Sequence, residues 1–65
     1  MKVLYAAYAR IRDERGYSDY RVSKELGIGA ATLSDWKNGL STPKADKLLA
    51  IAKLLNTTVE QFTEV

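Results

Sequence analysis

The chain has 65 residues, a formal net charge of +2, and neither cysteine nor histidine. At this length one modest core can form, burying about 60% of the unfolded surface. The missing residue types exclude disulfide staples, thiolate nucleophiles, imidazole bases and the usual zinc ligands. A slight positive excess admits a polyanionic partner without singling one out. The start carries neither a twenty-residue apolar run nor a secretory pattern, so a cytoplasmic protein with no membrane role is expected.

Gly16, Gly27, Gly39 and Pro43 divide the chain into short segments whose apolar residues recur at three- and four-residue spacing. That pattern predicts helices and no strand. The first helix is expected over roughly Lys2 to Arg15, with Leu4, Ala7, Tyr8 and Ile11 on one face and Gly16 as its left-handed cap. Ser18 then precedes a second helix of about two turns, in which Val22 and Leu26 lie four apart and Gly27 follows. Ile28 and Gly29 separate it from a third short helix, Ala30 to Asn38, with Leu33 and Trp36 as an apolar pair and Gly39 after it.

Further on, Thr42 is an expected N-cap with Pro43 at the first helical position, ahead of a broad stripe of Leu48, Leu49, Ile51, Ala52 and Leu55. Asn56 ends that helix. Thr58 with Gln61 three residues later forms an expected capping box for a fifth, short helix carrying Val59 and Phe62. Five helices in 65 residues leave only tight turns, and their stripes converge on one core centred on Trp36 and the Leu48 to Leu55 helix. The whole chain, 1–65, is expected to act as one unit, either a small complete protein or one part of a longer one.

Two short helices joined by a tight turn at Gly27 give a helix-turn-helix over Asp19 to Asn38. Val22, Leu26, Ile28, Leu33 and Trp36 close on one apolar seam, and Ser23 is small enough for a close crossing. With Leu33 and Trp36 inward at 100° per residue, Ala31, Ser34, Asp35 and Asn38 point away from the core, with Ala30 on the flank. A small, polar outer face suits entry into a major groove about 12 Å wide better than burial against protein. Trp36, by contrast, is expected in the core.

Over almost its whole length the chain resembles the Cro and repressor family of phage and bacterial helix-turn-helix regulators. The residues that carry the likeness are Ile11 to Ser18, then Val22, Ser23, Leu26, Gly27 and Ile28, then Thr32, Leu33, Ser34, Trp36, Asn38, Gly39 and Pro43, and finally Leu48 to Asn56 with Thr58 to Phe62. The resemblance implies an all-α, compact, five-helix, lambda-repressor-like DNA-binding fold whose helix-turn-helix is formed by helices 2 and 3. It also implies a transcriptional regulator, a repressor by preference, that binds double-stranded DNA at a palindromic operator as a homodimer.

By the same resemblance the base contacts fall on Ala30, Ala31, Ser34 and Asp35, and phosphate contacts on Tyr20, Arg21, Lys37, Asn38, Gly39, Lys44 and Lys47. Alanine methyls suit thymine methyls, Ser34 donates or accepts, and Asp35 accepts from cytosine N4. Phosphate contacts set register without reading sequence.

Two positions depart from the family pattern. Asp19 stands where a phosphate-binding glutamine is common, so that contact passes to Tyr20 or Arg21. Lys37 stands where a glutamate usually pairs with the arginine matching Arg12, so Arg12 is expected to turn to Asp35, another acid or solvent. Phe62 and Val65, at the chain's end, are candidates for a dimer contact, alongside their simpler role as cap and core anchor.

No cofactor, metal site, small-molecule ligand or enzymatic activity is expected, because the carboxylates are scattered and no phosphate loop or dinucleotide fingerprint occurs. The alternative function keeps the fold as a protein-interaction module, such as an antitoxin or a regulator that sequesters a partner.

Overall fold

A computed structural model describes residues 2–63. Among them are four α-helices, α1 (Tyr5–Glu14), α2 (Asp19–Leu26), α3 (Ala30–Lys37) and α4 (Ala45–Leu54), and a closing 3-10 turn, Val59–Phe62. The architecture is all-helical as expected, but the fifth helix is reduced to that single turn. Its expected capping box does not form. Thr58 makes no side-chain cap, and the Gln61 N–H donates to the Thr58 carbonyl at 3.1 Å instead.

The first helix begins three residues later than its apolar spacing suggests. Val3 forms an isolated antiparallel bridge with Thr63, and the Leu4 N–H donates to the Phe62 carbonyl at 2.7 Å. These bonds hold the start extended and tie the two ends of the described chain together. The fourth helix also starts later than expected. Lys44, not Thr42, occupies the N-cap position with an extended ψ of 164°, so Pro43 lies outside the helix, where it is buried.

Local chemistry fixes the helix ends more reliably than the starts. After α1 the Gly16 N–H bonds to Asp13 and the Tyr17 N–H to Arg12. After α3, Gly39 and Leu40 bond to Trp36 and Asp35, and after α4, Asn56 and Thr57 bond to Lys53 and Ala52. Each is a Schellman closure, and each turns on a residue with positive φ at the second position past the helix, Gly16, Gly39 or Asn56.

The buried core consists of Tyr8, Val22, Ile28, Leu33, Trp36, Leu48, Ile51, Ala52, Leu55 and Phe62. Its centre is aromatic. Tyr8 stacks on Trp36 at 4.9 Å between ring centroids, and Phe62 meets Tyr8 edge-on at 5.9 Å. Leu33 and Trp36 are 2% and 4% exposed, and Phe62 is fully buried. Phe62 therefore anchors the core and is unavailable to a dimer contact, while Val65 lies outside the described residues. Leu49 leaves the expected apolar stripe and stands 56% exposed. The stripe is broader than one helix face can bury, so its edge falls in solvent.

Candidate nucleic-acid interface

The turn between α2 and α3 is set by two devices. Gly27 caps α2 with φ 66° and ψ 26°, a left-handed conformation in which any side chain would be strained. Ser23 donates its hydroxyl to the Ile28 carbonyl at 2.5 Å. That bond reaches across the turn, so the serine does more than permit a close crossing. With Val22, Ile28, Leu33 and Trp36 buried, the orientation of α3 relative to α2 follows from the shared seam.

On the far side of α3, Ala30, Ala31 and Ser34 are exposed and Asp35 is half-buried. Gly29 is the N-cap, with no side-chain hydrogen bond and no acid in the first turn, so the helix opens with bare N–H groups beside two methyl-sized side chains. Tyr20, Ala30, Ser34 and Lys37 meet with Asp19 and Leu33 around one open cleft of about 290 Å³ between the start of α2 and α3. Ala31 and Asp35 do not line this cleft. Nor do Arg21, Asn38, Gly39, Lys44 and Lys47, all of which are exposed.

Several of these side chains already have intramolecular partners. Arg21 lies over the Tyr17 ring at 4.3 Å, and its Nε donates to Glu25 at 3.1 Å. Lys24 stands 5.5 Å over the ring of Tyr20, itself 70% exposed.

Asp19 has a different environment from its neighbours. The hydroxyls of Tyr5 and Tyr8 donate to its carboxylate at 2.5 and 2.8 Å, and Arg12 Nη1 donates at 2.7 Å. Arg12 also donates to the Tyr5 hydroxyl at 3.0 Å and through Nη2 to Asp13 at 2.8 Å. Arg12 thus turns to Asp19 and Asp13, not to Asp35, because the Gly16 turn brings the first residue of α2 back against α1.

Burial opposes ionisation of Asp19. The hydrogen bonds from Tyr5, Tyr8 and Arg12 and the nearby cation outweigh it, so the carboxyl lies below its ordinary value. Burial likewise works against the Arg12 cation, and the bonds to Asp13, Asp19 and Tyr5 overcome that and raise its basicity. Burial, reinforced by the Asp19 carboxylate, pushes both phenols up. An acid at the start of α2 is therefore neutralised from within.

A helix-turn-helix family model matches residues 9–62. The chain belongs to the Cro/C1-type helix-turn-helix family. That family consists of DNA-binding regulators and is generally without enzymatic activity. No curated protein and no solved structure gives a significant match. In this Cro/C1-type chain the matched span begins inside α1 and runs to the closing turn, so it takes in Arg12, Asp19, the turn at Gly27 and all of α3. Among the described residues no helix is long and apolar enough to cross a membrane, and no group of acids is placed to hold a metal ion.

Sequence reasoning excluded Asp19 from the site and missed its role in joining α1 to α2. The signal was faint but present. Tyr5, Tyr8 and Arg12 follow one another at three and four residues, so they form one polar-tipped row on α1.

Proposed function

We propose that this chain binds double-stranded DNA sequence-specifically through the outer face of α3 and represses transcription in the cytoplasm, with residues 1–65 acting as one unit. The observation that carries this reading is the exposure of Ala30, Ala31 and Ser34 on the same short helix whose Leu33 and Trp36 are buried. The surface is slender, rigidly backed and free of bulky side chains, which is what entry into a major groove requires.

In this reading Ala30 and Ala31 meet thymine methyls, Ser34 bonds a base edge and Asp35 accepts from cytosine N4. Tyr20, Arg21, Lys37, Asn38, Gly39, Lys44 and Lys47 hold phosphates, with Arg21 exchanging Glu25 for the backbone. Two copies on a palindromic operator double the contacts.

Selection of bound sites from random duplexes, followed by titration across salt concentrations, tests the proposal. If one copy neutralises about four phosphates, log K falls against log salt with a slope near −3.6, and about twice that for a pair. Recovery of no consensus, or a flat salt response on the recovered site, overturns it.

A further inference from the structure

Helix α4 presents a second patterned surface. Leu48, Ile51 and Ala52 face the core, and at 100° per residue the opposite side carries Asp46, Leu49, Ala50 and Lys53. Asp46 and Lys53 are exposed, as is Leu49, while Ala50 is half-buried. The two charges lie two turns apart, about 10.5 Å along the axis, beyond reach of each other. An acid four residues before a lysine would have paired within the helix, but the residue four beyond Asp46 is Ala50. Among the described residues the ion pairs are Arg12 with Asp13, Arg12 with Asp19 and Arg21 with Glu25, so neither Asp46 nor Lys53 is engaged.

Positions 46, 49, 50 and 53 are symmetric about the point midway between 49 and 50. Reversing the helix exchanges Asp46 with Lys53 and Leu49 with Ala50. A second α4 laid antiparallel across a two-fold axis therefore places Asp46 against Lys53 twice, and twice sets a large side chain against a small one. Ala50 lets the axes approach to the usual 8–10 Å or so. A parallel alignment would set like charges against each other, so the pattern specifies direction as well as contact.

We infer that this stripe of α4 is the contact for a second copy of the chain, an isologous antiparallel helix pair. Its role at a two-fold operator rests on the DNA-reading proposal, but the contact itself can be tested without DNA. One face of a ten-residue helix is well short of the roughly 1,200 Å² typical of stable complexes, so the free protein pairs weakly and gains from two half-sites on one duplex. Lys47 is turned about 100° from Asp46 and stays free for phosphate.

Sedimentation of the protein up to about 1 mM, with Asp46→Lys, Lys53→Asp and an equimolar mixture of the two, tests the inference. The wild type self-associates, each reversal weakens association at least tenfold, and the mixture restores it, because one variant then presents two lysines and the other two aspartates. A wild type that stays monomeric, reversals without effect, or a mixture no better than its components each overturns the inference. Circular dichroism verifies folding, and should a reversal fail to fold, Leu49→Glu replaces it, with the same tenfold loss expected and no loss overturning the contact.

On a duplex with one half-site, Lys53→Asp binds within twofold of wild type, and on two half-sites it loses cooperativity; cooperativity that survives the reversal counts against the contact. Failure of the wild type on every duplex defeats the DNA reading and leaves the sedimentation result standing.

Discussion

Helices α2 and α3 are equally short, yet they begin in opposite ways. At α2 the Ser18 hydroxyl accepts the Arg21 N–H at 3.1 Å, and the first helical residue is an acid tied to Arg12 and two tyrosines. At α3 the cap is Gly29, no side chain bonds the first turn, and the first two residues are alanines. The start of α2 is capped at Arg21 and ion-paired through Asp19 from inside the molecule, whereas α3 forgoes the few tenths of a kcal/mol that a better cap and a first-turn acid would contribute. A helix start left small and without a side-chain cap, beside one that is capped and ion-paired, separates the surface proposed to meet DNA from the surface that holds the fold.

The largest effect should come from closing the open start. Ala31→Glu places a long acid on the outer face of α3, and if that face reads DNA, operator affinity should fall by about a hundredfold, close to 3 kcal/mol. The side chain is exposed, so the melting temperature should move by no more than a couple of degrees. Filter binding beside a thermal melt checks both, and retention of operator binding by the folded variant would move the function to a partner bound elsewhere.

Opening the stapled start should act on stability. Asp19→Ala strands the buried Tyr8 hydroxyl and leaves Arg12 with only Asp13 and the Tyr5 hydroxyl, at a cost of about 2 kcal/mol, or roughly 10 °C in a domain this small. Operator affinity measured well below the melting point should hardly change. A melt within 2 °C of wild type would show the cluster to be ornamental.

The pH dependence of the same carboxylate sharpens the contrast. Because its folded pKa is depressed, its stabilising contribution is present above the unfolded value of about 3.9 and is lost as pH falls through the folded value. Urea titrations should therefore show wild type more stable than Asp19→Asn at pH 7, with the gap closing as pH falls below about 4. The phenols work at the other end. Tyr5 and Tyr8 stay protonated in the fold, so above about pH 10 the unfolded chain ionises first and stability declines. A gap independent of pH would assign the loss to packing instead of charge.

What the sequence made legible was local. The seam of Val22, Ile28, Leu33 and Trp36 follows from spacing alone, and the helix ends at Gly16, Gly39 and Asn56 follow from the few residues that tolerate positive φ. The outward face of α3 came with the seam, since one side of a helix fixes the other. What spacing concealed depended on distant partners. Thr63 and Phe62 pull Val3 and Leu4 out of the first helix, and the burial of Phe62 is tied to that closure. Pro43 reads as a helix opener, but an extended Lys44 follows it. Arg12 finds Asp19 only because the Gly16 turn folds α2 back on α1, a crossing that periodicity within either helix does not contain.

The smallest effect is the most discriminating, because it sets the two starts against each other in one residue. Gly29 has φ −60°, and a Cβ built on it meets only Thr32 Oγ1 at 4.0 Å, an ordinary contact. Gly29→Asp therefore fits without strain and gives α3 the kind of acidic, capped start that α2 already has. An aspartate N-cap beside the positive end of the helix should stabilise the fold by a few tenths of a kcal/mol, about 1–3 °C. The same carboxylate occupies the N–H groups and repels phosphate, so operator affinity should fall about tenfold. Stability and binding then move in opposite directions, which a defect in folding cannot produce. If both improve, the bare start of α3 is not where the duplex is met.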